Sequence, residues 1–433
     1  MTNTTPFSAR RSRLMQQMGT GVAVLATAPE QLRNRDSHYP YRFDSHFYYL
    51  TGFGEPEAVV VLLAATQRTV LFCRDKDMER EIWDGFRYGP EVARTAFHFD
   101  EAYSISELDT RLSGLLADQP TLHYALGQDA AWDARVLGWL NSVREQARSG
   151  VTAPGSLRDV RELVDEMRLF KDDAEQAIMR SAAAISCAAH RRAMQATAPG
   201  RYEYEVEAEL LHHFRAHGSQ APAYTSIVAG GANACVLHYV GNNAQLHAGD
   251  LLLIDAGCEL DGYASDITRT FPVSGSFSAA QKDVYEMVLA AQYAALDAVQ
   301  PGNHWNQPHE AALRVLAQGM IDLGLCTGSV DSVLESGDYR RFYMHRTGHW
   351  LGLDVHDAGS YKSEGSWRAL QPGMALTIEP GCYIRPADNV PEALWNIGIR
   401  IEDDVLVTPS GCEVITAAAP KTVAEIEAVM RHA

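Results

Sequence analysis

The first residues whose types and spacing could do chemistry lie in the stretch 251–272, LLLIDAGCELDGYASDITRTFP. Four aliphatic residues, Leu251 to Ile254, run into Asp255, the pattern of a buried strand that ends in a carboxylate. Asp261-Gly262 supplies turn chemistry, and 263–271 reads as the return strand. Closing the hairpin on 259–262 pairs Cys258 with Tyr263 and sets Asp255 opposite Asp266. Opposed side chains lie about 4.5–5.5 Å apart at Cβ, and like charges there repel. Such a pair shares a proton or holds a cation. Aspartates also end many ordinary strands, so Asp261 and Asp266 as plain turn and surface residues is the competing reading. The hairpin alone does not choose.

Three further stretches add to it. Residues 344–357, MHRTGHWLGLDVHD, hold His345, His349 and His356, with Gly348 and Gly352 permitting close approach. Residues 375–380, ALTIEP, end an apolar run in Glu379. Residues 397–404, IGIRIEDD, alternate Arg400 and Glu402 with Ile399 and Ile401, as on a strand with one polar face. Glutamate is depleted in strands and is seldom fully buried unless paired. Asp403 and Asp404 read as solvated. Asp255, Asp266, His349, Glu379 and Glu402 together form a hard, oxygen-rich donor set that suits Mn²⁺ or another divalent ion. Carboxylates bridge, so five such donors can hold two ions about 3.5–4 Å apart.

The elements that must position these residues fall into two groups. At about 100–200 residues per domain, 433 residues imply two domains. We place the boundary near 170, where Gly150, Pro154 and Gly155 break the pattern before a charged helix. The segment 1–170 alternates strands and helices, an α/β signature of doubly wound type. Helix is expected over 7–18, and strands over 22–26, 47–50, 58–64 and 69–73. The segment 171–433 reads as α+β. It has helices over 174–198, 203–217, 278–299, 307–323 and 423–431, and strands over 226–229 and 235–239, in the hairpin, and through 342–408. Net charge is −18, which argues against nucleic acid or an anionic membrane as partner. No run approaches the ~18 apolar residues of a membrane span. Seven scattered cysteines without a C-x-x-C point to a reduced, cytoplasmic chain. Arg10-Arg11 before the apolar stretch 21–28 is read as a first helix and strand rather than a secretory signal.

In this order and spacing, the four motifs resemble those of the pita-bread metallopeptidases, most nearly aminopeptidase P, with prolidase next. RNRDSHYPYR, LTGFGEPEAVVVL, VDEMRLFK and VLHYVGNN extend the resemblance over nearly the whole chain. It implies a curved antiparallel sheet covered by pseudo-twofold helices. It also implies a dinuclear site: Asp255 on one metal, Asp266 and Glu402 bridging, His349 and Glu379 on the other. His238 and His356 would hold the peptide carbonyl. His345 matches a further active-site histidine, and Tyr383 and Arg400 match groups that orient the ligands. The implied reaction is attack of a bridging hydroxide on the bond between an N-terminal residue and a following proline, with Glu379 passing the proton to the leaving nitrogen. The competing readings are an Xaa-Pro dipeptidase, a metal-free hydrolase on the same fold, and a peptide-binding protein without activity. The last two should lack ligands that this chain keeps. The resemblance further implies a homo-oligomer, tetramer or dimer, in which the first domain helps form the substrate cleft. Trp83, in REIWDGFRYG, either packs inward from a helix beginning near Lys76 or reaches an active site.

Overall fold

The computed structural model describes residues 5–431, and its packing divides the chain between Arg168 and Leu169. The first unit contains α1 (Thr5–Met18), β1 (Val22–Ala26), α2 (Ser45–Thr51), β2 (Val59–Leu63), β3 (Arg68–Cys73) and α3 (Met78–Asp84). It continues with α4 (Gly89–Ala96), β4 (Glu101–Ser104), α5 (Leu108–Leu116), β5 (Thr121–His123), α6 (Ala130–Arg144) and β6 (Ser156–Arg158), and α7 (Arg161–Leu169) closes it. The sheet order is β4-β3-β2-β1-β5-β6. The sheet is mixed rather than wholly parallel: β1, β2 and β3 run antiparallel, while β4, β5 and β6 join in parallel. The tight connection at 64–67 makes β2 and β3 a hairpin, and only strands reached through helices run parallel.

Residues 47–50, expected as a strand, lie in helix α2. Asp44 caps its start by accepting the Phe47 N–H at 2.8 Å, and Gly52 ends it in the left-handed region at φ 64°. A Cβ at Gly52 would come within 2.5 Å of the Phe7 ring, so the stop requires glycine. Four aromatic and apolar residues carry no period that separates helix from strand. Trp83 does not pack inward: α3 buries none of its residues, and Trp83 is 83% exposed.

The second unit opens with α8 (Asp173–Ala196), which starts from a capping box between Asp172 and Glu175. Then come α9 (Glu203–Ala216), β7 (Ala221–Pro222), β8 (Ile227–Gly230), β9 (Leu251–Asp255), β10 (Cys258–Leu260), β11 (Tyr263–Ala264) and β12 (Thr268–Pro272). They are followed by α10 (Ala279–Ala298), α11 (Gln307–Asp322), α12 (Val330–Ser336), β13 (Lys362–Ser363), β14 (Ser366–Trp367), β15 (Ala375–Ile378) and β16 (Gly381–Ile384). The last elements are β17 (Ile397–Arg400), β18 (Asp403–Thr408), β19 (Gly411–Val414) and α13 (Val423–Arg431). Antiparallel ribbons β12-β9-β8, β15-β18-β19 and β16-β17 carry the site residues. The apolar faces of α8 to α11 and α13 share one core with these strands, including Ala189, Val288, Leu316, Leu376 and Ile399. Residues 235–239 form no strand: a short 3-10 turn ends at Cys235 and irregular backbone follows. All seven cysteines are unpaired thiols, and six are buried. Burial pushes the Cys73 and Cys187 thiols up to about 12. No helix among the described residues is long and apolar enough to cross a membrane.

Candidate metal centre

The hairpin that delivers two of the carboxylates closes more tightly than its sequence suggests. Leu260 pairs with Tyr263 and Glu259 with Ala264. That leaves a two-residue turn at Asp261 (φ 49°) and Gly262 (φ 86°), the primed turn favoured by Asp-Gly. The register moves by two residues, so Asp255 faces Thr268 and not Asp266. A shift of two preserves the face. Asp255 and Asp266 therefore stay on one side, and the Tyr224 hydroxyl lies between them, 2.6 Å from Asp255 Oδ1 and also bonded to Asp266 Oδ1.

The remaining ligand candidates arrive on three other elements. A Cβ at Gly348 would lie 2.0 Å from the Thr377 carbonyl oxygen, so glycine alone lets that segment run against β15. The Thr377 N–H then donates to the His349 carbonyl at 3.0 Å, the His349 N–H donates to the Thr377 hydroxyl at 3.1 Å, and His349 Nδ1–H donates to the Trp350 carbonyl at 2.9 Å. Its Nε2 is left facing Asp266 Oδ2 at 3.4 Å and Glu379 Oε1 at 3.7 Å. Glu402 follows β17 and accepts from Thr268 Oγ1 at 2.7 Å. Donor atoms of Asp266, His349 and Glu402 all lie within 4.8 Å of one another.

Burial pushes Asp266, Glu379 and Glu402 above the usual carboxylate range, and their mutual repulsion adds to it; Glu379 reaches about 7. Burial disfavours the charged form of His349, yet Asp266 and Glu379 outweigh it and raise the imidazole to about 9. Like charges gathered out of water around one imidazole nitrogen are the environment a divalent cation relieves. The donor set fits such ions.

Around this centre the structure gathers every sequence-designated residue except Trp83, which belongs to the other unit. His238, His345, His356 and Arg400 line the same cleft as the five ligand candidates, and its volume is about 720 Å³. Arg400 donates to Asp255 Oδ2 at 2.7 Å and to the Tyr383 hydroxyl at 2.9 Å. That hydroxyl bonds His345 Nε2 at 2.8 Å, and His345 Nδ1 faces the Arg346 carbonyl at 2.7 Å. Burial, with Arg400 nearby, lowers His345 to about 3, so it is neutral and accepts from Tyr383. His356 is exposed, and its ring meets that of His349 edge to face at 4.3 Å.

Asp403 and Asp404 are fully buried, not solvated. Asp403 receives Arg269 and Lys421 at 2.7 Å each, and Asp404 accepts the Asp266 N–H at 3.0 Å. Their partners come from distant segments that local alternation cannot register. Tyr224 and Thr268 also escaped the sequence reading. Thr268 had a signal, because Asp266, Thr268 and Thr270 alternate on a buried strand. Tyr224, among small residues in APAYTS, had none.

The buried pair Lys171–Asp357, 2.8 Å apart with both side chains 1% exposed, pins the end of the loop that carries His349 and His356 to the segment before α8. Removing one partner of a buried pair costs about 3–5 kcal/mol. We expect Lys171→Ala to lower the chemical denaturation midpoint accordingly. An unchanged midpoint would show that the pair contributes nothing.

Comparison with known proteins agrees with this geometry. The profile of metallopeptidase family M24 matches residues 177–409, and that of the aminopeptidase P N-terminal domain matches 7–123. The Xaa-Pro aminopeptidase of Escherichia coli K12 is 45% identical over 98% of this chain and 97% of its own. Human Xaa-Pro aminopeptidase 3 is 32% identical over 99% of this chain and 86% of its own. Among solved structures, aminopeptidase PepP of Pseudomonas aeruginosa superposes with a TM-score of 0.98 at 50% identity, covering 100% of this chain and 98% of the other. A zinc-substituted E. coli aminopeptidase P in complex with product gives 0.97 at 43% identity, covering 100% and 99%. The pita-bread architecture expected for the second unit is the fold of these structures. With its ligand candidates converging on one cleft and its likeness running end to end, the chain belongs to metallopeptidase family M24, in the branch that carries an aminopeptidase P N-terminal domain.

Proposed function

We propose that the protein is an Xaa-Pro aminopeptidase that removes an N-terminal residue standing before proline. The observation that carries this is the convergence of Asp255, Asp266, His349, Glu379 and Glu402 on one cleft, in a chain of this family. Two divalent ions, Mn²⁺ by the hardness of the donor set, would supply an activated water as nucleophile and polarise the scissile carbonyl. Asp255 would hold one ion, Asp266 and Glu402 would bridge, and His349 and Glu379 would hold the second. Arg400 and Tyr224 fix the orientation of Asp255 through its two oxygens. His238 and His356 donate to the oxygen on which charge develops. Glu379 passes a proton to the leaving nitrogen, while Tyr383 keeps neutral His345 in place beside it. The proline nitrogen carries no N–H, so recognition rests on ring contacts and not on a bond to that atom.

Ala-Pro-Ala should be turned over and Ala-Pro should not. Turnover confined to Ala-Pro would make the protein an Xaa-Pro dipeptidase, and no turnover of either would end both readings.

The apolar face of α3 and the residues after it suggests assembly. Ile82 and Trp83 are 82% and 83% exposed, and Met78 and Phe86, four residues to either side of Ile82, are 70% and 64% exposed. Large exposed apolar side chains grouped in this way suit an interaction site, and aromatic anchors favour interfaces. Copies of this chain meet there, as a tetramer or dimer, and Trp83 shapes substrate entry. Sedimentation should show a species larger than monomer. Trp83→Ala should raise KM or change length selectivity with metal content unchanged. A fully active monomer in which Trp83→Ala is silent would exclude this. The buried thiols suit a reducing cytoplasm.

A further inference from the structure

Glu203 is the second residue of the YEYE sequence that opens α9. It lies outside every stretch that pointed to chemistry, and it is fully buried. A glutamate in the first turn of a helix ordinarily faces water and interacts with the helix dipole. This one points into the fold and accepts four hydrogen bonds. Oε1 takes the Gly230 N–H at 2.8 Å and Asn233 Nδ2 at 3.0 Å. Oε2 takes the Tyr239 hydroxyl at 2.8 Å and the Ala244 N–H at 2.8 Å. An ionised carboxylate offers about four acceptor sites, and all are used.

The four donors run from Gly230, the last residue of β8, to Ala244, and 231–244 has no regular structure beyond its opening 3-10 turn. No ladder holds the chain past Gly230, and His238 stands in the middle of this stretch, on the wall of the cleft. Asn242 ties the same segment to β8, accepting the Val228 N–H at 3.0 Å and donating to the Ser226 carbonyl at 2.8 Å. Arg385 grips the Cys235 carbonyl at 2.7 Å. Among the described residues, Glu203 alone bonds to both ends of the segment and to Tyr239, the neighbour of His238.

We propose that Glu203 is a positioning residue that sets His238 at the cleft by gathering the 230–244 segment around one buried carboxylate. This rests on the reading of His238 as a group that touches the substrate. Glutamine in its place has the same shape but cannot accept on both sides. Whichever way its amide turns, the NH₂ meets a backbone N–H, of Gly230 or of Ala244, and that end of the segment is released.

The test is a double-mutant cycle on the metal-loaded full chain with Ala-Pro-Ala as substrate. Displacement of a reacting group by about 1 Å costs up to about 100-fold, so Glu203→Gln should lower kcat by about ten- to a hundredfold with metal content unchanged. In a His238→Ala background the same substitution should change kcat by less than about twofold, because residues acting through one group are not additive. Tyr239→Phe removes one bond in four and should give a smaller loss that also vanishes without His238, which keeps the test open if Glu203→Gln folds poorly. A crystal structure of the Glu203→Gln or Tyr239→Phe protein should show His238 displaced with α9 in place. Losses that multiply with that of His238→Ala, a fall in metal content, or an unmoved His238 would overturn the proposal. If the unaltered protein leaves Ala-Pro-Ala intact, the functional reading fails, and the position of His238 in the variant crystal still decides the role of Glu203.

Discussion

Asp266→Asn is expected to lose bound metal and turnover together. Asp266 stands at the crossing of the site. One oxygen meets Tyr224, the other faces His349 Nε2 at 3.4 Å, and its backbone N–H is held by buried Asp404. The amide is nearly isosteric, so the fold should survive. It replaces one charged ligand oxygen with an NH₂ that a cation cannot use. The rate should fall by at least about 10³-fold, the upper end of what one transition-state contact contributes, and elemental analysis should show less than the full complement of metal. Asp261→Asn is the control. Asp261 is exposed at the turn with φ 49°, a conformation asparagine accepts readily, and the change should stay within about 0.5 kcal/mol of neutral. A silent Asp266→Asn beside a damaging Asp261→Asn would mean that the cleft is not the working site.

Chelation should abolish activity altogether, and Mn²⁺ should restore it better than Ca²⁺ or Zn²⁺. Four carboxylates and one imidazole, with no thiolate among them, form the donor set that selects a hard ion. Stripping the metal should also lower thermal stability, because a ligand bound only by the folded state stabilises it by mass action. Full turnover in a sample shown by elemental analysis to be metal-free would end the dinuclear reading. Recovery with Zn²⁺ alone would reassign the ion while leaving the ligands in place.

Much of this candidate site was legible because its ligand candidates break a rule their neighbours keep. Asp255, Glu379 and Glu402 each interrupt or end an aliphatic run, where a carboxylate is seldom buried unless paired. The long helices were legible from their caps and periods: α10 begins from a Ser278–Gln281 capping box and α13 has the expected bounds. What escaped the sequence depends on contacts between distant positions. Asp403 and Asp404 look like a solvated pair until Arg269 and Lys421 arrive from outside the motif. The hairpin register turned on whether Asp-Gly formed the whole turn or half of a four-residue one. Glu203 looks like an ordinary first-turn acid, and only the folded loop around it reveals four donors. The α2 helix failed for a local reason, since its cap at Asp44 outweighed an ambiguous aromatic run.

The buried thiols make the protein its own clock for local opening. The thiolate is the reactive form, and burial raises Cys73 on β3, Cys258 on β10 and Cys382 on β16. A thiol reagent at neutral pH can then reach each sulfur only when the strand around it opens. Cys73 times the N-terminal sheet, Cys258 the hairpin before Asp266, and Cys382 the strand that carries Tyr383. Modification rates with and without metal would therefore map, strand by strand, how far the energy of ion binding spreads from the cleft.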